Sequence, residues 1–192
     1  MSPKTTLRQD LVQKRWAYIH SLSPLTRQNA AKRLASNIAS YLVENEKMII
    51  AGYWPLEDEI DSVPTLKFLH DKGHLIVLPC IESSSKVLTF REWNPEKSLE
   101  KKEPFGIYQP GEEITSFIPD ILLVPLLAFD LHGTRLGRGV GYYDSTLAAL
   151  RSRKTILAIG VAYEKQKVEE IPKESHDQPL DLIITEEKIH SF

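Results

Sequence analysis

Residues 121–144 read ILLVPLLAFDLHGTRLGRGVGYYD: five apolar residues, a nine-residue link, then a glycine-rich run that opens into a helical pattern. The apolar run ILLVP (121–125) is short and branched, as a strand buried in a sheet should be. Tyr143, Leu147 and Leu150 are spaced i, i+4, i+7 and so share one face of a helix. Four of the chain's nine glycines (Gly133, Gly137, Gly139 and Gly141) fall here, interleaved with Arg135, Arg138 and the pair Tyr142–Tyr143. Glycine at alternate positions lets backbone N–H groups approach a ligand with no Cβ in the way. A helix N-terminus behind such a loop adds the positive end of its dipole, and the combination cradles anions. Asp144 falls in the helix's first turn, where a carboxylate is electrostatically favoured and can hold a cation beside a phosphate. The stretch therefore reads as a phosphate site. It is neither G-x-x-x-x-G-K-[ST] nor G-x-G-x-x-G. A plain surface loop is the alternative, but a linker would favour Ser, Asn and Pro over interleaved arginines and YYD.

Working outward, the same alternation of strand and helix recurs. Residues 4–20 read as a helix, with Val12, Trp16 and Ile19 on one face and Leu7 and Leu11 on another. Ser23-Pro24 is a cap followed by a first-turn proline, opening a helix to about Glu44 in which Leu34, Ile38 and Leu42 recur every four residues. MIIAGYW (48–54) reads as a buried strand, followed by a helix near 62–71 and strands at 75–80 and 87–93. The charged, proline-bounded PEKSLEKKEP (95–104) reads as a solvated loop. TILAIGVA (155–162) and DLIIT (181–185) complete a set of β-branched runs suited to a central sheet. The pattern predicts an α/β layered fold with a largely parallel sheet, formed by residues 1–192 as a single domain.

At 192 residues the chain can bury a substantial core. A formal charge of −2 supplies no global basic field for nucleic acid. Cys80 is the only cysteine, which excludes an intrachain disulfide and a cysteine-based zinc site; its strand-like setting assigns it to packing. No apolar run reaches membrane-spanning length, and MSPKTTLRQD lacks the apolar core of a secretory signal. A cytoplasmic protein with no membrane partner is expected.

Two further constellations stand out. Lys4 and Arg8 lie i, i+4 apart on one helical face, either a solvated basic stripe or an anion site. Glu57, Asp58, Glu59 and Asp61 crowd the end of the first strand, where open α/β sheets bind ligands. A solvated acidic turn is the plain reading, and it is the one adopted for Glu57 and Asp58. The six histidines form no metal pattern: Gly73 separates His70 from His74, and no G-x-S-x-G elbow is present.

The segment PLLAFDLHGTRLGRGVGYYDSTL resembles the signature of the 5-formyltetrahydrofolate cyclo-ligases, also called methenyltetrahydrofolate synthetases. KTTLR (4–8), Glu59-Ile60-Asp61-Ser62, Gly106-Ile107-Tyr108-Gln109-Pro110 and DLIIT (181–185) are similar to further elements of that family. Val140 stands where relatives carry Lys or Gly, Leu126 where Gly is common and Ser62 where Thr is usual. The resemblance implies a three-layer open sheet related to the sugar-phosphate isomerase and CoA-transferase-like folds, in a monomer or homodimer. It implies an ATP- and Mg2+-dependent ligase of one-carbon metabolism with 5-formyltetrahydrofolate and ATP as partners. ATP-binding positions by resemblance are Lys4, Thr5, Thr6, Leu7 and Arg8, together with Arg135, Leu136, Gly137, Arg138, Gly139, Val140, Gly141, Tyr142 and Tyr143. Folate-binding positions are Trp54, Glu59, Arg138, Gly139, Val140, Gly141 and Tyr142, with Arg138 and Tyr142 catalytic. Asp144 and Asp177 are the implied metal ligands, and Asp181 is assigned to holding the start of the last strand. Two other readings stay open from sequence: a folate-binding module without turnover, and a sugar-phosphate enzyme sharing only the architecture.

Overall fold

A computed structural model describes residues 3–42, 46–103, 106–112 and 115–192. Helices α1 (Pro3–Ser21) and α2 (Pro24–Tyr41) precede strand β1 (Ile49–Ala51), α3 (Val63–Asp71), β2 (Leu75–Cys80) and β3 (Thr89–Glu92). A hairpin of β4 (Glu100–Lys102) and β5 (Ile107–Gln109) leads to β6 (Ile121–Pro125), and a second hairpin pairs β7 (Ala128–Phe129) with β8 (Arg135–Leu136). Helix α4 (Tyr142–Arg151), β9 (Leu157–Val161), β10 (Leu182–Ile184) and β11 (Ile189–Ser191) complete the chain. Seven strands form one sheet in the order β11-β10-β9-β6-β1-β2-β3. The five inner strands are mutually parallel, and the two edge strands are antiparallel to their neighbours.

The three layers follow from the two-residue period of a strand. Along β6, Ile121 and Leu123 join one core while Leu122 and Val124 join the other. Ile50 and Ala51, Ile76 and Val77, and Ala158 and Ile159 divide in the same way. The first core receives Ile19 of α1, Ala30, Leu34 and Ile38 of α2, and Leu66 and Leu69 of α3. The second receives Leu147 and Leu150 of α4. Each such side chain, fully buried, contributes about 1.5–3 kcal/mol, so a sheet apolar on both faces forms only with both helical layers in place. A third, smaller cluster joins Leu127, Ala128 and Leu136 of the second hairpin to Leu7, Leu11 and Val12 of α1.

The strands at 75–80 and 121–125 and the Ser23 cap agree with the sequence reading; Ser23 Oγ accepts the Thr26 amide at 3.1 Å. Several expectations are corrected. Helix α2 ends at Tyr41, where Leu42 turns extended, short of the expected Glu44; residues 43 and 44 themselves lie outside the described residues. Strand β1 stops at Ala51, one residue before Gly52, whose amide still donates to the Val77 carbonyl of β2 at 2.9 Å and on which a Cβ would lie 2.4 Å from Leu66 Cδ2. The charged segment expected to be loop contains β4, which pairs residue for residue with β5; its residue 104 lies outside the described residues. Trp16, expected on the buried face of α1, is 56% exposed and stacks on His20. Among the described residues no helix is long and apolar enough to cross a membrane.

Candidate active site

From β1 the chain runs outward through β2 and β3, then returns to β6 on the other side of β1. The connections therefore diverge beyond the C-terminal ends of β1 and β6, the crevice in which open α/β sheets bind ligands. A cavity of about 380 Å³ occupies that place. Tyr53, Trp54, Leu56 and Glu59 enter it from the segment after β1, Pro79 and Ile81 from the end of β2, and Pro125, Leu126 and Leu127 from β6. Lys4, Arg8 and Arg15 of α1 and the whole run Arg135 to Asp144 line the same cavity. Glu174, His176 and Asp177 close one end.

The strand-end wall is fixed by packing and buried hydrogen bonds. Tyr53 is 3% exposed; its hydroxyl donates to the Ile60 carbonyl at 3.0 Å, and Ser62 Oγ donates to the Tyr53 carbonyl at 2.7 Å. Trp54 packs edge-on against Trp93. Glu59 lines the same cavity with its side chain 9% exposed, and its Oε2 accepts the Leu56 amide at 3.0 Å. Burial raises its pKa, against the opposing pull of the Leu56 amide, Arg15 and Arg138. Burial, with Glu59 nearby, also keeps the Tyr143 hydroxyl protonated well above its ordinary range, so it faces the cavity as a donor.

The part of the lining from α1 and residues 135–144 is built from charge and glycine. Arg8 Nε donates to the Gly137 carbonyl at 2.9 Å. Gly139 sits at φ +99°, a conformation that favours glycine, and a Cβ there would lie 3.1 Å from the Arg8 guanidinium, which would have to shift by a few tenths of an ångström. Gly141, at φ +86°, is the residue before α4 and offers that helix no side-chain cap, which leaves N-terminal amides for an anion. Lys4 is buried and paired with Asp177, and its Nζ lies 3.2 Å from Glu174 Oε2. Arg135 donates to Asp144 Oδ1 at 2.6 Å and to the Gln178 carbonyl. Burial lowers its pKa and Asp144 pulls it back up, while a guanidinium keeps its charge throughout.

Of the residues expected from sequence, the structure gathers Lys4, Arg8, Trp54, Glu59, Arg135 through Asp144, and Asp177 around one cavity. It does not bring Thr5, Thr6 or Leu7 to it: Thr6 is exposed, and Leu7 packs on the second hairpin. Asp58, expected to be solvated, is buried between Arg15, at 2.6 Å, and Arg138. The solvated reading does hold for Glu57, whose side chain is 84% exposed. Arg15 was absent from the sequence reading. It touches Asp58 across 43 residues of chain, and no local periodicity signals such a contact. Asp181 Oδ2 accepts the Ala158 amide at 2.7 Å and so ties β10 to β9. Cys80 is buried with its thiol pushed up to about 11 by burial, which suits packing and not nucleophilic work.

For a cation, Glu174, His176 and Asp177 place one ligand atom each within 4.8 Å of one another. Asp144 lies outside that group but is tied to it, since its Oδ1 accepts the amide of Gln178, next to Asp177. The carboxylate oxygens suit a hard divalent ion.

Residues 1–186 match the 5-formyltetrahydrofolate cyclo-ligase family. The chain belongs to that family. It is 31% identical to the 5-formyltetrahydrofolate cyclo-ligase of Haemophilus influenzae over 85% of this chain and 90% of that protein. Against the Escherichia coli K12 enzyme of the same name the figures are 30%, 88% and 94%. Among solved structures it resembles the NMR structure of Aquifex aeolicus 5,10-methenyltetrahydrofolate synthetase, with a TM-score of 0.79 and 29% identity over 99% of this chain and 93% of that one. The Mycoplasma pneumoniae 5,10-methenyltetrahydrofolate synthetase matches with a TM-score of 0.73 and 27% identity, over 96% and 99% of the two chains. Family membership over this span decides against a sugar-phosphate enzyme that shares only the architecture.

Proposed function

We propose that this cyclo-ligase closes 5-formyltetrahydrofolate to 5,10-methenyltetrahydrofolate with conversion of ATP to ADP and phosphate, and that both substrates occupy the one cavity. The observation that carries the reading is that one cavity is lined both by Trp54 and the buried Glu59 and by Lys4, Arg8, Arg135 and the 137–141 loop. A pterin presents adjacent N–H donors that a carboxylate accepts in one plane, and Trp54 offers an apolar face beside it. The α1–loop part of the lining supplies a point charge, planar forks and helix N-terminal amides, the groups that bind phosphates.

A formamide carbon is a poor electrophile because its nitrogen lone pair is delocalised into the carbonyl. Transfer of the γ-phosphoryl group to the formyl oxygen makes that oxygen a leaving group and breaks the bond to ADP. The folate's second nitrogen then attacks the activated carbon and phosphate departs. The substrate brings its own nucleophile, so the protein aligns the two and stabilises phosphoryl charge. Arg138, on the 137–141 loop, and Tyr142, the first residue of α4, contact both substrates in this reading; Arg135 and Arg8 neutralise phosphate. Lys4 exchanges its carboxylate partners for a phosphate oxygen. Asp144 and Asp177 would hold magnesium, which when bound would neutralise polyphosphate charge.

The test mixes protein, ATP, Mg2+ and 5-formyltetrahydrofolate and follows the near-ultraviolet absorbance of the methenyl product. Product is expected only when ATP and a divalent cation are both present. Undiminished turnover without either one contradicts the proposal. Binding of both ligands with no absorbance change would establish a binding module in its place.

A further inference from the structure

Asp58 joins three separate pieces of the molecule. On one side its Oδ2 accepts from Arg15 of α1 at 2.6 Å, and on the other its Oδ1 accepts from Arg138 of the glycine loop. The arginine behind it is enclosed: its side chain is 2% exposed, and its second terminal nitrogen donates to the Leu126 carbonyl at 3.0 Å. The arginine in front is not, with a side chain 41% exposed on a loop flanked by Gly137 and Gly139. Two charged forks on one carboxylate thus connect a buried anchor to a partly exposed side chain, and the next residue, Glu59, faces Arg138 Nε at 3.9 Å.

We propose that Asp58 is a positioning residue: seated on Arg15, it fixes the guanidinium of Arg138 at the strand-end side of the cavity. Without it Arg138 would lose the one carboxylate that lies at hydrogen-bond distance among the described residues, and would follow the exposed loop. A long flexible fork held in advance loses less freedom when the reacting groups meet, so the anchor acts on alignment more than on capture of either substrate. The effect on turnover rests on the function proposed above; the anchoring of Arg138 does not.

Two measurements separate these. Trypsin cleaves after an arginine only when its guanidinium enters the protease, so Asp58→Asn is expected to speed cleavage after Arg138, with cleavage after Arg151 unchanged. Equal rates after Arg138 in both proteins overturn the anchoring, whatever the enzyme turns over. In steady-state kinetics Asp58→Asn is expected to lower kcat about ten- to a hundredfold with the KM for ATP within about twofold. In an Arg138→Ala background the same change should cost less than about twofold more, because the two residues act as one unit. Losses that multiply, or a wild-type kcat in Asp58→Asn, overturn the role. Should the buried Arg15 prevent Asp58→Asn from folding, Arg15→Met/Asp58→Asn removes both charges. That variant is expected to show the same fall in kcat and the same exposure of Arg138 to trypsin. A double variant with kcat and proteolysis restored would make the bridge structural only.

Discussion

The two walls of the cavity rest on different physics. The strand-end wall is an extension of the sheet: Tyr53, Leu126 and Leu127 are almost wholly buried, and Glu59 is held by a backbone amide three residues away. The α1–loop wall is held by ion pairs and glycine geometry, with Lys4 on Asp177, Arg135 on Asp144 and Arg8 on the Gly137 carbonyl. A packed wall has one arrangement and suits a flat, invariant ring. A wall of exchangeable charge pairs can trade carboxylates for phosphates as nucleotide enters and product leaves. On the assignment proposed above, the folate side is pre-formed by the fold, whereas the nucleotide side is assembled from partners that also neutralise one another.

The comparison breaks most readily at Glu59. Glu59→Gln places an amide against the pterin's own donors and leaves buried groups unpaired, an expected loss of about 2–4 kcal/mol in folate binding. ATP affinity should barely change, and Glu57→Gln, altering an exposed side chain, serves as the control. Calorimetric titration of both ligands decides it; like behaviour of the two variants would place the pterin elsewhere.

On the other wall, Lys4→Ala and Arg8→Ala should each weaken ATP by about 1.5–3 kcal/mol, or ten- to a hundredfold, with folate affinity spared. Unchanged nucleotide affinity would reduce α1 to a brace. Asp144→Asn comes next. It is expected to raise the Mg2+ concentration for half-maximal rate by about tenfold or more. An unaltered magnesium dependence would return Asp144 to its visible task of neutralising Arg135.

The smallest effect lies far from both walls. Asp120, just before β6, accepts the Ile49 amide and pairs with Lys154. Burial alone would raise its pKa, but Lys154 and that amide together hold it below the ordinary carboxylate value. A depressed folded pKa means the pair stabilises above the unfolded value, about 4, and that this stability is lost as pH falls through the folded one. The Tm of Lys154→Ala should sit slightly below wild type near pH 6, with the gap closing toward pH 3. The pair is half-exposed, so the shift is small and kinetic constants should not move.

Legibility in the sequence follows the same division. The packed half of the molecule was readable because burial imposes a period: ILLVP and LIVLPC became strands at their expected positions, and Leu34 and Ile38 face the core. The glycine loop was readable because its chemistry is local, with every residue from Arg135 to Asp144 on the cavity. What escaped depends on distant partners. Strand β4 is Glu-Lys-Lys, poor in β propensity, and exists because β5 pairs with it. Asp58 looked solvated because its two arginines arrive from 43 and 80 residues away. Strand β1 was expected to be longer because MIIAGYW stays apolar, yet Tyr53 and Trp54, past the end of the strand, line the site.

Salt separates the walls most directly. Titrating the wild-type protein separately with Mg·ATP and with 5-formyltetrahydrofolate, from about 0.1 M to about 1 M salt, shortens the screening length from about 10 Å to about 3 Å. The affinity for Mg·ATP is expected to fall steeply across this series while that for the folate falls only slightly, its pterin contact being buried at Glu59. Parallel loss of both affinities, or a folate more salt-sensitive than the nucleotide, would contradict two walls of different physics.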